Sequence, residues 1–213
     1  MAIEMRETMK GFFTVLKGSD PYIRLLLLTG VSKFSKAGVF SNLNHLQDIT
    51  LEDKFSDLVG ITEEELLSNF SGHISEFAKE ENLKDKELID KIREWYNGYR
   101  FSPKGISVYN PFSTLLLLTQ KRFEHHWFET GTPEFLVKLI LKNNYDIISI
   151  PMQTDAVRFS SYEPEDLSII PLLVQTGYLT IKDYDPAERL YTLDYPNYEV
   201  YAFPHLLDRN KLF

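Results

Sequence analysis

The sequence predicts a mostly α-helical protein with small β parts, which places it in the α+β class. Three observations lead to this class: helical periodicity from residue 62 to about residue 141, one short apolar run at residues 22–28, and two strand-like segments at residues 178–184 and 190–193. The chain has 213 residues, of which 43% are hydrophobic and 14% aromatic. This is enough to bury a large core in one large or two small domains.

The first predicted elements are a helix and a strand. Residues 5–17 combine charged and apolar side chains with helical spacing, and Gly18 and Pro21 end that pattern. Residues 22–28 include four consecutive leucines. Such an unalternating run is typical of a strand buried on both faces of a parallel sheet, with a buried helix as the alternative. A short edge strand ending at Ile49 is expected next.

The middle of the chain is predicted to be helical. Thr62 and Glu65 have the spacing of a capping box and should start a helix that runs through Phe70. A second helix covers residues 86–96 and should stop at Gly98. Asn110, which is followed by proline, is the expected N-cap of a third helix.

The C-terminal part reads as a helix over residues 165–175, a hairpin over residues 178–193 and a final helix over residues 198–207. A helix followed by a hairpin resembles a winged helix. Pro171 lies inside the predicted first helix, where it should remove a hydrogen bond. The predicted division of the chain is therefore residues 1–60, 61–160 and 161–213.

Charge and composition exclude several classes of function. The chain has 23 basic and 31 acidic residues, a formal charge of -8, which disfavours binding to nucleic acid or to anionic membranes through a diffuse field. It has no cysteine, which excludes disulfides, zinc-thiolate sites and cysteine nucleophiles and fits a reducing compartment. The charged N-terminus and the lack of a long apolar run predict a cytoplasmic protein with no membrane contact.

Thr29, Ser32 and Lys33 follow the predicted buried strand and are the candidate site residues. Hydroxyls and an ammonium at the carboxyl end of a strand suit the sensing of a nucleotide γ-phosphate. The alternative is an ordinary surface loop, because serine and lysine are common in loops.

The sequence lacks the glycine-rich phosphate-binding loop that would hold a nucleotide. No glycine is followed by lysine, so the pattern G-x-x-x-x-G-K-[ST] occurs nowhere. The one predicted buried strand ends in Thr29-Gly30 rather than in an acidic residue that would position magnesium. We therefore expect no catalytic residue and no hydrolysis by this chain alone.

An aromatic motif at residues 95–101, WYNGYRF, has two interpretations. Its rings and Arg100 could stack on a nucleobase, or they could pack as a helix end. Together with Asn110, its residues Tyr96, Asn97 and Arg100 form a possible motif surface. His125 and His126 do not predict a metal site, because adjacent residues point to different sides of a helix or strand.

Eight signatures in order resemble those of the AAA-ATPase-like family, a bacterial family. They are LTGVSKFSK at 28–36, LNHLQDI at 43–49, GITEEEL at 60–66, WYNGYRF at 95–101, YNPFS at 109–113, WFETGTPEFL at 127–136, QTGYLTI at 175–181 and PNYEV at 196–200. The resemblance implies a P-loop ATPase core that uses ATP and magnesium, followed by a helical lid and a winged-helix-like segment, commonly with a PD-(D/E)XK nuclease-like domain after them.

The resemblance implies that members of full length carry Walker A and Walker B before the position of Met1 and the nuclease-like domain after about Val200. We therefore expect a natural truncation or a fragment: a core remnant (1–60), a lid (61–160) and a winged-helix-like segment (161–213). The predicted function is a non-catalytic protein-interaction or regulatory module that binds a protein partner or itself and needs no cofactor alone. The alternatives are a nucleic-acid-binding winged helix and an ATPase completed in trans.

Overall fold

The computed structural model describes residues 2–30, 46–127, 138, 140, 153–155 and 169–202, with the side chains of residues 2–6 left aside. The helices within these residues are α1 (Ala2–Gly18), α2 (Glu63–Glu80), α3 (Asp85–Tyr96), α4 (Pro111–Gln120), α5 (Ile169–Gln175) and α6 (Tyr198–Tyr201). The strands are β1 (Gln153–Asp155), β2 (Thr180–Asp185) and β3 (Leu190–Asp194). The predicted α+β class, mostly helical with small β parts, is confirmed.

Helix α2 begins at the predicted capping box. The Thr62 hydroxyl accepts the backbone N–H of Glu65 at 3.1 Å, and the Glu65 carboxylate accepts the backbone N–H of Thr62 at 2.9 Å. Each side chain thus satisfies a backbone donor that the first helical turn leaves without a partner. Asn110 caps α4 in the same manner, accepting the backbone N–H groups of Phe112 and Ser113.

Helices α2, α3 and α4 surround the first of two main cores, which we call the helical core. Its buried residues are Leu66, Ile74, Phe77, Ala78, Leu88, Ile92, Tyr96, Tyr109, Leu117 and Leu118. In α3 they recur every four residues, at Leu88, Ile92 and Tyr96, so this helix presents one apolar stripe to the core.

The second core, the hairpin core, lies between α5 and a three-stranded antiparallel sheet of order β1-β3-β2. Leu172, Leu173, Tyr178, Ile181 and Leu193 are almost completely buried there. The turn between β2 and β3 and the two strands confirm the predicted hairpin. Pro171 lies in α5 and is buried there, and the predicted start of this helix at residue 165 falls outside the described residues.

The strand predicted over residues 22–28 is wrong. A 3-10 turn covers Asp20–Tyr22, and the chain then runs to Gly30 without regular structure. Leu25 is 83% exposed and Leu27 63% exposed. A strand needs neighbours to satisfy its backbone groups, and within the described residues none pairs with this segment. The edge strand predicted to end at Ile49 is not formed over residues 46–49 either.

Helix α1 confirms the N-terminal helix prediction and makes a small cluster of its own, in which buried Phe13 packs with Leu16 and Leu46. The predictions for residues 31–45, 134–137, 141, 165–168 and 203–207 lie outside the described residues.

A closely packed backbone junction at Gly98 connects the two main cores. Tyr96 belongs to the helical core, Tyr99 belongs to the hairpin core, and an isolated bridge pairs Tyr99 with Val108. Gly98 has φ +116°, and a Cβ atom placed on it would lie 1.9 Å from the carbonyl oxygen of Pro196. Both the backbone conformation and the close approach therefore require glycine.

Replacement of this glycine should weaken the whole chain. We expect Gly98→Ala to lower the free energy of unfolding by roughly 3 kcal/mol or more, because alanine meets both positive-φ strain and the Pro196 backbone. Gly72, inside α2, is the matched control, since nothing lies within 4 Å of a Cβ there. Gly72→Ala should instead raise the free energy of unfolding, by about 1 kcal/mol. Urea unfolding of the two variants checks this, and equal effects would contradict it.

Candidate functional site

Of the three sensor candidates, only Thr29 belongs to the part of the chain that the structure describes. Thr29 is exposed at the end of the unpaired segment, while Ser32 and Lys33 lie outside the described residues. Their role in sensing a γ-phosphate stays a prediction.

Three of the four residues of the predicted motif surface are buried. Tyr96, Asn97 and Asn110 are less than 9% exposed. The Tyr96 hydroxyl donates to the carbonyl of Glu124 at 2.9 Å and accepts its N–H at 3.1 Å. Rings held inside a core cannot stack on a base, so the structure favours the packed helix end.

Arg100, the fourth residue, links the motif to the hairpin. Its backbone N–H donates to the Thr180 hydroxyl at 2.7 Å, and its guanidinium donates to the carbonyl of Lys182 at 3.0 Å. The Thr180 hydroxyl in turn donates to the carbonyl of Arg100 at 3.1 Å. These bonds hold the start of β2 against the loop that follows α3.

The most unusual polar group is the carboxylate of Glu199, in the short helix α6. The residue is 0% exposed. Its Oε1 atom accepts the Ser113 hydroxyl at 3.0 Å and the backbone N–H of Trp127 at 2.8 Å. Because Ser113 lies in α4 and the chain turns helical at His126 and Trp127, one carboxylate joins three separate segments.

Burial raises the pKa of Glu199 to about 7, although the backbone N–H of Trp127, the Ser113 hydroxyl and the backbone N–H of His126 lower it. The group is therefore about half protonated at neutral pH. Its Oε2 atom has no hydrogen-bond partner among the described residues, which is costly for a buried charge.

The two residues whose backbone N–H groups face this carboxylate also carry side-chain polar atoms that are buried without a hydrogen bond in the described part of the chain. They are His126 Nε2 and Trp127 Nε1. The Tyr99 side chain lies near enough for Glu199 to raise its pKa, although burial is the larger cause. The sequence analysis missed this centre, since Glu199 appeared there inside the PNYEV signature and nothing in the pattern marked it as buried.

A second, more exposed network connects α2 and α3. The Arg93 guanidinium binds the carboxylates of Glu63 and Asp90, and the Tyr109 hydroxyl donates to Glu63. Burial acts to raise the pKa of Glu63, but the hydrogen bonds from Arg93 and Tyr109 outweigh it and lower that pKa. These contacts hold α2 against α3 and against Tyr109.

The described residues show no group of three or more histidine, aspartate or glutamate side chains that could hold a metal ion. Within the same residues, none of the helices combines the length and the apolarity needed to cross a membrane.

Comparison with known proteins gives a family similarity for one part of the chain. A family model described as "Predicted AAA-ATPase" (AAA-ATPase-like) matches residues 1–40. The chain is also 40% identical over 206 residues to a protein of Azotobacter chroococcum mcd 1 named "Uncharacterized protein in vnfD 5'region". That alignment covers 95% of this chain, which spans 37% of the length of the relative. No solved structure matches.

The buried carboxylate should make stability depend on pH. The pKa of Glu199 is about 7 in the folded chain and near 4.5 when unfolded, so the folded state binds more protons between these values. The contribution of Glu199 to the free energy of unfolding should therefore fall by roughly 3 kcal/mol as pH rises from 4.5 to 7.

Glu199→Gln should remove this pH-dependent contribution to the free energy of unfolding, and urea unfolding at several pH values measures it. Glu188→Gln, in the exposed hairpin turn, is the control and should follow the original chain at every pH. A pH profile of Glu199→Gln parallel to that of the original chain would contradict the assignment.

Proposed function

We propose that this chain is a non-catalytic lid and winged-helix-like part of an AAA-ATPase-like protein, and that residues 22–30 dock onto the sheet of a nucleotide-binding core. The observation that carries the proposal is the exposure of an apolar segment inside the region similar to this family. Tyr22, Leu25 and Leu27 are 90%, 83% and 63% exposed.

Such exposure is physically unfavourable. Each large apolar side chain left in water forgoes about 1.5–3 kcal/mol of burial free energy. Ile23 has an extended backbone, Arg24 lies in a bend, and residues 22–30 make no β-ladder within the described residues. An extended apolar segment with unpaired backbone groups is suited to adding a strand to another sheet.

The rest of the proposal follows the predicted division of the chain. The helical core around α2, α3 and α4 would serve as the lid, and α5 with the hairpin would serve as the winged-helix-like segment. The sensor residues Thr29, Ser32 and Lys33 would reach the γ-phosphate when residues 22–30 complete the core sheet. ATP and magnesium would then be held by the core and not by this chain.

Nucleic-acid binding is not favoured by any feature of the described residues. Helix α5, which would be the recognition helix, contains no arginine or lysine. None of its seven residues is exposed. A helix that is packed into the hairpin core cannot lie in a groove of DNA.

The first test is self-association, because a strand without its sheet pairs with another copy when no core is present. Gel filtration with light scattering should give a mass that rises with concentration above 24.9 kDa. The double variant Leu25→Lys/Leu27→Lys should stay monomeric. Leu58→Lys/Val59→Lys is the matched control, since both residues are similarly exposed, and it should associate like the original chain. A monomer at high concentration would contradict the proposal.

The second test is nucleotide binding by the isolated chain. Isothermal titration should detect no ATP–magnesium binding at millimolar ATP, because the sequence lacks the glycine-lysine cradle. If binding does occur and Lys33→Ala abolishes it while Lys36→Ala does not, the sensor loop contacts nucleotide without a core. That outcome would favour an ATPase site formed by this chain itself and would contradict the docking model.

A further inference from the structure

A surface cleft of about 310 Å³, which we call the tyrosine cleft, opens between the last turn of α3, the end of β3 and α6. It is lined by Glu94, Asp194, Tyr195, Asn197, Tyr198 and Tyr201. The volume is at the lower end of the range for ligand sites, so the cleft has room for one or two side chains.

The aromatic walls of the cleft are held in place by their neighbours. The Tyr198 ring lies 4.8 Å from that of Trp95, and the Tyr195 and Tyr201 rings meet edge to face at 5.7 Å. Tyr198 is 48% exposed and Tyr201 is 55% exposed, so each presents part of its ring to solvent. Rings that are already positioned lose little conformational freedom when a ligand binds.

The charge of the lining is negative. Glu94 and Asp194 are exposed carboxylates, and none of the described residues that line the cleft is a lysine or an arginine. Burial, together with the smaller effects of the nearby Asp194 and Tyr201, raises the pKa of Tyr195 to about 12. Lys182 also lies close enough to Asp194 to be influenced by it, but burial lowers the pKa of this lysine.

We propose that the tyrosine cleft binds an arginine side chain from a basic segment of a partner protein. A guanidinium is planar, stacks on aromatic faces and pairs with a carboxylate through two hydrogen bonds. The cleft offers the partly exposed rings of Tyr198 and Tyr201 together with the carboxylate of Asp194, whose Oδ1 atom also accepts the backbone N–H of Tyr195. Acidic and phosphate-bearing ligands are repelled by the same lining. This proposal does not depend on the docking of residues 22–30.

The experiment titrates the full chain with a blocked Gly-Arg-Gly peptide and with the same peptide carrying citrulline, which keeps the shape of arginine but has no charge. Trp95, in contact with Tyr198, reports binding by fluorescence, and two-dimensional NMR locates the shifts. The citrulline peptide should bind at least ten-fold more weakly.

Substitutions of cleft residues test whether the peptide binds in the cleft. Asp194→Asn and Tyr201→Leu should each weaken arginine-peptide binding several-fold. Glu188→Gln and Tyr22→Leu are the matched controls, since both residues are exposed and lie outside the cleft, and they should bind like the original chain. Circular dichroism verifies that each variant is folded.

Three results would overturn the proposal. They are equal binding of the arginine and citrulline peptides, no binding at millimolar peptide, and unchanged binding by both cleft variants. A lower light-scattering mass for Asp194→Asn or Tyr201→Leu would assign the cleft to a second copy of the chain and would overturn it as well.

Discussion

The contact between the backbone of Gly98 and the carbonyl of Pro196 fixes how the helical core meets the hairpin core. No side chain fits between them, since a Cβ atom would lie 1.9 Å from that oxygen. The contact places the loop after α3 directly against the chain that enters α6. Glu199 is thereby carried inward to Ser113 and Trp127, where it forms its two hydrogen bonds. The junction is therefore both sterically tight and polar.

Burying the polar groups of this junction costs free energy. A buried carboxylate with one oxygen unpaired opposes its own ionisation, which is why the pKa of Glu199 rises. The hydrogen bonds of Ser113 and Trp127 require particular directions, whereas the hydrophobic effect is non-directional. Glu199 thus contributes little net stability at neutral pH but favours one relative placement of α4, α6 and the helical turn at residue 126.

The helix starts were a part of the fold that the sequence could predict, because short-range contacts determine them. Thr62 with Glu65 and Asn110 with its proline set helix starts through contacts within four residues, and the structure has both. The strand expected at residues 22–28 failed because apolarity alone does not form a strand without neighbours. Glu199 was missed for a related reason: its burial results from contacts with residues 72 and 86 positions away along the chain. The sensor candidates Ser32 and Lys33 remain untested.

The described residues form a packed body and an exposed apolar segment at residues 22–30, which we propose adds to an external sheet. Amide hydrogen exchange of residues 23–30 in dilute, monomeric chain tests this division most directly. We expect these amides to exchange nearly as fast as those of an unstructured peptide while the amides of α3 are protected, and to become protected when the chain associates. Protection of residues 23–30 equal to that of α3 in the monomer would show that the segment is paired within the chain, and would contradict the account.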